Sequence, residues 1–323
     1  MSGVLAVMLA LLVYPGLVGA LVVAWVLTWT RDATRASLGS GARPGPLSLI
    51  AEIRATYARD TLAPAATALA FQAILPILAL ALPLVALVLL PLPGNPLADA
   101  LGLKGDLIAE GALLLGVPGL RLLTGWATPS PYTRLAADRG ARLLAGCVLP
   151  LVLALSALAQ QVNTLQIAPL VHAPAQAQLN WLSLLARVLA AAAFACCLPV
   201  LARASALREG EGDADLAAGE LAEASGRDLA AWRVAEGLQL VAAVVFFAAA
   251  FIQPLLVTAS PQLRGAAWIV VPILAAIGIG AWEGLRGAQP ASGDRPPLSW
   301  WFGLPLLLAL FALVAAAFAA RGA

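Results

Sequence analysis

Apolar residues lie along this chain in long runs that are separated by shorter polar segments. A helix needs about 20 mainly apolar residues to cross the hydrocarbon layer of a membrane. Eight runs approach or exceed this length, at about residues 4–27, 64–90, 107–123, 143–159, 179–201, 238–257, 266–282 and 298–320. No basic residue precedes the first run, which is also too long for a cleaved signal peptide. The pattern predicts an all-α polytopic membrane protein with about eight transmembrane helices and a single integral membrane domain over residues 1–323.

The composition excludes several classes of function. Hydrophobic residues make up 62% of the chain and charged residues 11%, whereas about 25% of an ordinary soluble domain is charged. The net charge of +2 gives no reason to expect a nucleic-acid partner. Three cysteines and one histidine show no spacing typical of a disulfide framework or a metal site. We therefore expect neither a bound cofactor nor a catalytic centre in this chain by itself.

The basic residues predict the orientation in the membrane. The loops at about 28–63, 124–142, 202–237 and 283–297, with the helix ends that border them, hold 15 of the 19 basic residues. Basic residues concentrate on the cytoplasmic side of a membrane. The asymmetry predicts that these four loops are cytoplasmic and that both termini lie outside the cytoplasmic (inner) membrane.

The first cytoplasmic loop contains a helical pattern of its own. Within residues 46–62, Leu47, Ile50, Ile53 and Tyr57 recur at helical spacing, and Glu52 falls on the opposite face. This pattern is typical of an amphipathic helix that lies on the membrane surface. The alternative is a solvated linker.

Several ionisable residues lie within or at the mouth of the apolar runs. A charge inside the bilayer costs about 2.5–3.5 kcal/mol on insertion scales, so each such residue is a functional hypothesis. Glu110, Arg187 and Glu236 are candidates to line a polar cavity or a proton path. Alternatively, Glu110 and Glu236 lie at the membrane interface, and Arg187 reaches the headgroups or pairs with a carboxylate of another helix or subunit.

The third cytoplasmic loop is rich in acidic residues. Eight of the 17 acidic residues lie there in under thirty positions, namely Glu209, Glu211, Asp213, Asp215, Glu220, Glu223, Asp228 and Glu236. Grouped carboxylates hold protons more tightly than isolated ones, which suits proton transfer near working pH. The same cluster also fits a docking face for a partner subunit, or simply a solvated loop.

The order of several short motifs resembles one known family. Arg43-Pro44-Gly45-Pro46 precedes the surface helix, and Leu62-Ala63-Pro64 opens the second run. Gly125-Trp126-Ala127 and Ser130-Pro131-Tyr132 flank a short turn, and Glu223-Ala224-Ser225-Gly226-Arg227-Asp228 stands before the sixth run. This order is similar to membrane subunit 1 of respiratory complex I (NADH dehydrogenase). The Arg227-Asp228-Leu229-Ala230 continuation looks closer to the membrane subunit of energy-converting nickel–iron hydrogenases such as formate hydrogenlyase.

The resemblance implies a membrane subunit of an oxidoreductase complex that couples redox chemistry to proton or ion translocation. It implies docking of a hydrogenase-like or quinone-reductase-like large subunit and an iron–sulfur subunit on the cytoplasmic face, with antiporter-like subunits beside it in the lipid bilayer. A quinone at the interface is possible in this family. Iron–sulfur clusters, and nickel–iron in the hydrogenase branch, would belong to the partner subunits.

The resemblance also directs attention to particular residues. It implies coupling through Glu223, Arg227 and Asp228, with Glu220 and Glu236 next. It implies that the peripheral arm docks near a set of residues around the surface helix, namely Arg43, Gly45, Pro46, Arg54 and Arg59.

The sequence departs from the family pattern at several positions. Ala224 stands where a tyrosine follows the glutamate, and Leu149 stands where an acidic residue precedes Pro150. Two alternatives therefore stay open. One is a stand-alone transporter or permease that binds its substrate near Glu110 and Arg187. The other is a purely structural membrane anchor of such a complex.

Overall fold

The computed structural model describes residues 12–13, 16–39, 41–61, 69–93, 95, 105–172, 181–202, 219–256, 259–287 and 298–321. Within these ranges the chain forms ten α-helices. They are α1 (Leu17–Leu38), α2 (Ser48–Tyr57), α3 (Leu69–Leu89), α4 (Leu107–Ala127), α5 (Pro131–Val162), α6 (Ile167–His172), α7 (Trp181–Leu201), α8 (Gly226–Phe247), α9 (Pro261–Gly287) and α10 (Leu298–Arg321). A 3₁₀ turn, Gly219–Leu221, precedes α8.

The all-α prediction is confirmed. The described residues contain no β-strand, and one isolated antiparallel bridge joins Asp106 to Gln166. Six helices in these ranges are long and apolar enough to cross a membrane: Leu107–Ala127, Pro131–Val162, Trp181–Leu201, Gly226–Leu256, Pro261–Leu285 and Gly303–Ala320. Ala73–Leu89, in α3, is a shorter apolar helix. The chain is therefore a polytopic membrane protein, and the count of eight spans stays a prediction.

The helices continue beyond the apolar runs that predicted them. α1 extends to Leu38, α5 begins at Pro131, and α8 begins at Gly226. Backbone hydrogen bonds do not depend on side-chain polarity, and arginine and glutamate favour helices. Hydropathy therefore marks where a span lies rather than where its helix ends. As a result only residues 128–130 separate α4 from α5.

The predicted surface helix is present as α2. It packs mainly against α8 and also contacts α1. Leu47 at its N-terminal boundary and Ile50 and Tyr57 within it remain largely exposed. The apolar face of α2 is therefore only partly covered by the protein itself.

α8 is the central helix of the bundle. In the most apolar 18-residue stretch of Gly226–Leu256, 83% of the residues are buried, compared with 28% in the corresponding stretches of α9 and α10. It packs against α1, α2, α3, α4, α7 and α9. A helix that is apolar on all sides is typical of such a buried position. Beyond Phe247 it continues as a π-helical turn, Ala248–Ile252, and a 3₁₀ turn, Gln253–Leu256.

Glycines on α9 allow close packing against α1. A Cβ atom at Gly280 would overlap the carbonyl oxygen of Arg31, and one at Gly284 would lie 2.7 Å from the carbonyl oxygen of Arg35. Small residues four positions apart let two membrane helices approach closely. A Cβ at the neighbouring Gly278 would meet no described atom within 4 Å.

We expect Gly280→Ala to weaken the pairing of α1 with α9, because the new methyl group overlaps backbone that cannot rotate away. Overpacking of this kind costs about 1–3 kcal/mol. Gly278→Ala is the matched control, and its stability should be unchanged or slightly higher because alanine favours helix. The measurement is the thermal midpoint of both purified variants in the same detergent. Equal midpoints for the two variants would contradict this packing.

Candidate functional site

Three charged side chains meet where α4, α8 and the 3₁₀ turn Gly219–Leu221 come together. Arg121 of α4 places its Nη2 atom 3.5 Å from Oε2 of Glu220, and its Nη1 group pairs directly with Oε1 of Glu236. Arg121 and Glu220 are buried, and the Glu236 side chain is 22% exposed. One guanidinium therefore lies between two carboxylates. We call Arg121, Glu220 and Glu236 the ion triad.

Glycines allow the turn to reach α4. A Cβ atom at Gly125 would lie 2.9 Å from the carbonyl oxygen of Thr133 and 3.1 Å from the Cβ of Glu220. Gly226, at the start of α8, has a φ of +54°, which glycine adopts at no steric cost. A Cβ there would lie 2.7 Å from the carbonyl oxygen of Arg59. The segment that carries Glu220 is thus fixed between α4 and the loop after α2.

Further polar groups lie along the interface of α4 and α8. Gln239 of α8 donates its Nε2 hydrogen to the carbonyl oxygen of Leu114, at 2.6 Å. Glu110, in the first turn of α4, is completely buried. Both carboxylate oxygens of Glu110 and the Oε1 atom of Gln239 have no hydrogen-bond partner among the described residues. Buried oxygens of this kind are candidates for a bound proton or for water molecules.

Glu110 and Arg121 share one side of α4. Eleven positions along a helix correspond to three turns, a rise of about 16 Å. Asp106 caps this helix by accepting a hydrogen bond from the backbone nitrogen of Ala109 at 2.7 Å, so Glu110 lies at the opposite end of α4 from the ion triad. We call the ion triad, Gln239 and Glu110 together the polar file.

The surface helix is attached to α8 by exposed contacts. Glu52 and Arg233 form a salt bridge of 2.8 Å, and the Arg227 guanidinium lies 5.4 Å from the centre of the Tyr57 ring. The backbone nitrogen of Arg227 also donates a hydrogen bond to Oγ1 of Thr61 at 3.2 Å. These contacts join the first and third predicted cytoplasmic loops at one face.

An apolar cavity of about 280 Å³ lies beneath the surface helix. It is bounded by α1, α2 and α8, and its lining includes Trp25, Ile50 and Val234. Trp25 donates its indole hydrogen to the carbonyl oxygen of Pro46 at 2.6 Å, and Trp29 donates to that of Pro44 at 3.3 Å. The two tryptophans hold the segment before α2 close to the end of α1.

The structure separates the predicted coupling residues into two groups. Glu220 and Glu236 come together with Arg121, whereas Arg227 lies on Tyr57. Glu223 and Asp228 are half-buried. The residues predicted for docking are all exposed, and they are Arg43, Gly45, Pro46, Arg54 and Arg59. The acidic residues of 209–215 lie outside the described residues.

The two predicted intramembrane charges do not form a common site. Glu110 is buried on α4, whereas Arg187 of α7 donates from Nε to Oε1 of Gln161 at 3.3 Å. No described contact joins Glu110 to Arg187. The pairing that the permease alternative needs is therefore not seen among the described side chains.

Sequence analysis missed three residues of these buried polar contacts. Arg121 is one of the 15 basic residues that count as cytoplasmic in the charge asymmetry, but its spacing of eleven positions from Glu110 places both on one face. Gln239 lies three positions after Glu236 and shares its face. Glu283, at the edge of the last predicted cytoplasmic loop, is buried, with its Oε2 atom 3.9 Å from Nε of Arg31. Helical spacing would have found the first two.

Comparison with known proteins identifies the family. The model of the family described as NADH dehydrogenase matches residues 8–317. The chain belongs to the NADH dehydrogenase family, that of complex I subunit 1. No curated protein matches the sequence. As a member of this family, the chain is a membrane subunit of an oxidoreductase complex.

A solved structure has the same fold. It is a chain of the membrane-bound sulfane sulfur reductase, an archaeal respiratory membrane complex, with a TM-score of 0.71 and 20% sequence identity. The match covers 98% of this chain and 100% of that chain. At 20% identity, this likeness shows that the two chains share a fold and nothing more.

We expect Arg121→Gln to be strongly destabilising, because it leaves two carboxylates without their shared cation. Breaking a buried ion pair costs about 3–5 kcal/mol, whereas Arg233→Gln, in an exposed pair, should cost less than about 1 kcal/mol. Unfolding in mixed detergent micelles measures both values. Adding Glu220→Gln and Glu236→Gln to Arg121→Gln should restore part of the loss. Equal effects of Arg121→Gln and Arg233→Gln would contradict the ion triad.

Proposed function

We propose that this chain anchors the peripheral electron-transfer arm of its oxidoreductase complex and couples electron transfer to the movement of protons or other ions across the inner membrane. The polar file is the observation that carries this proposal. It begins near the face where α2 and α8 meet and continues along the α4–α8 interface to Glu110. A carboxyl group buried inside a membrane protein is energetically costly, and such groups are typical of proton-transfer routes.

The ion triad supplies a mechanism for the first step. Arg121 neutralises only one of the two carboxylates that it contacts. A charge change in the docked arm shifts the position of Arg121 between Glu220 and Glu236. The carboxylate that loses its cation then gains affinity for a proton.

The next steps use Gln239 and Glu110. The Oε1 atom of Gln239 and both oxygens of Glu110 are buried and accept no hydrogen bond from a described residue. Water between Gln239 and Glu110 would carry the proton from the triad to the far end of α4. The protons enter from the cytoplasmic side, where Glu223 and Asp228, half-buried near the start of α8, deliver them to the ion triad.

The exposed face around the surface helix suits the docking of the peripheral arm. Arg43, Arg54 and Arg59 place positive charge there, and the Glu52–Arg233 and Arg227–Tyr57 contacts tie that face to α8. Movement of the docked large subunit or iron–sulfur subunit would thus reach the helix that carries Glu236. Antiporter-like subunits would then receive the proton or electrostatic signal within the membrane.

The cavity beneath α2 suits a lipophilic electron carrier. Its volume of about 280 Å³ and its mainly apolar lining fit part of a quinone entering from the membrane at the interface with the large subunit. Iron–sulfur clusters, and nickel–iron if the large subunit is hydrogenase-like, would reside in the partner subunits. The identity of the large subunit decides the electron acceptor.

We expect Glu110→Gln to lower the number of ions moved per electron pair while electron transfer continues, because glutamine fills the same space and cannot release a proton at working pH. Asp138→Asn is the matched control, because Asp138 is an exposed acidic residue of α5 whose carboxylate accepts a hydrogen bond from Nε1 of Trp126 and has no part in the proposed route. The complex is purified through this chain in mild detergent and placed in liposomes. Ion movement and electron transfer are then measured together.

Two results would contradict the proposed function. Wild-type ion movement per electron pair in Glu110→Gln would remove the polar file from the coupling route. Purification of this chain alone, in a stable monodisperse form, would contradict the anchoring role and favour a stand-alone transporter.

A further inference from the structure

Arg187 is held in a defined position at one end of the bundle. Its Nε atom donates a hydrogen bond to Oε1 of Gln161 at 3.3 Å, and Nε2 of Gln161 donates to the carbonyl oxygen of Ser183 at 3.1 Å. The amide of Gln161 therefore orients the guanidinium through α5 and α7 together. This arrangement uses Nε and leaves the two terminal amino groups, Nη1 and Nη2, facing no described acceptor.

The position of Arg187 along α7 indicates that its guanidinium lies near the edge of the hydrocarbon layer. Gln161 is in the last turn of α5, which ends at Val162. Arg187 is six positions into α7, about 9 Å from its start. Its side chain points back toward the helix N-terminus, as long helical side chains do. A lipid phosphate lies at this depth when a helix end marks the edge of the hydrocarbon layer.

Among the described residues, no carboxylate side chain pairs with Arg187. α7 packs mainly against α10 and α5. Residues 143–201, which include α7 and most of α5, contain no acidic residue, and neither do residues 296–323, which include α10. The counter-charge for Arg187 therefore comes from outside this part of the chain.

The surface beside Arg187 has the character of a lipid contact. Trp181, at the first position of α7, is 68% exposed, and Leu184 and Val188 are also exposed. Tryptophan is enriched where a membrane span meets the headgroups. An aliphatic surface below an interfacial tryptophan suits acyl chains.

We propose that Arg187 binds the phosphate of a phospholipid in the leaflet at the end of the bundle where α7 begins. The two free amino groups of the guanidinium form hydrogen bonds with the phosphate oxygens, a geometry that arginine matches well. Trp181, Leu184 and Val188 contact the glycerol region and the acyl chains. This site is independent of the coupling role proposed above, because it lies on another helix and at the other end of the membrane from the ion triad.

The test measures phosphatidylglycerol binding by native mass spectrometry of the delipidated complex that contains the full chain. We expect Arg187→Gln to lower the affinity for the tightest-bound lipid about tenfold, because it removes a charge-assisted hydrogen bond. Gln161→Leu keeps the charge and loses the orienting amide, so a smaller loss is expected. Arg264→Gln is the matched control, because Arg264 lies in the first turn of α9 at the same end of the bundle and no described contact joins it to Arg187 or Gln161.

Three results would overturn the site. The first is unchanged phosphatidylglycerol affinity in Arg187→Gln. The second is an equal loss in Arg187→Gln and Arg264→Gln, which would indicate only general attraction to positive charge. The third is a cross-link or resolved contact between Arg187 and a carboxylate of a neighbouring subunit, together with lipid binding that does not depend on Arg187. Unchanged affinity in Gln161→Leu alone would overturn the orienting role of Gln161.

Discussion

The salt bridges of Arg121 with Glu220 and Glu236 are the interaction on which the rest of the site depends. They join α4 of the membrane bundle, the central helix α8 and the 3₁₀ turn Gly219–Leu221, which lies within the third predicted cytoplasmic loop. Burying these charges is unfavourable unless each has a partner of opposite sign. The position of the turn is therefore tied to the protonation and pairing of the two carboxylates.

The central position of α8 gives the ion triad a wide influence. α8 contacts six other helices, including the surface helix and α4, and it carries Glu236 and Gln239. The glycines at positions 125 and 226 bring backbone segments into contact around the triad, and no larger residue fits there. Close packing limits the response to a few discrete arrangements. Under the proposed function, a change at the docking face would reach the buried carboxylates through these packed contacts.

The fold was largely predictable from the sequence, because membrane spans are long and nearly all apolar. The surface helix was also predictable, since Ile50, Ile53 and Tyr57 repeat at helical spacing. The helix ends were not, because Arg134 and Arg139 continue a helix that hydropathy alone assigns to a loop. The family was recognised from the order of short motifs. The sequence predicts the candidate site only in part: it points to Glu220, Glu236 and Glu110, whereas Arg121 stands out only as one of the cytoplasmic basic residues. Pairing across helices depends on their rotation and neighbours, which spacing within one segment does not give.

The most direct test of the central claim is a redox-induced infrared difference spectrum of the intact complex, recorded in the carboxyl C=O stretching region. If electron transfer changes the protonation of the ion triad, the wild-type complex gives a carboxyl difference signal that is lost or shifted in Glu236→Gln. An identical difference spectrum in wild type and Glu236→Gln, with electron transfer intact in both, would contradict the account. It would leave the ion triad as a structural link between α4, α8 and the turn.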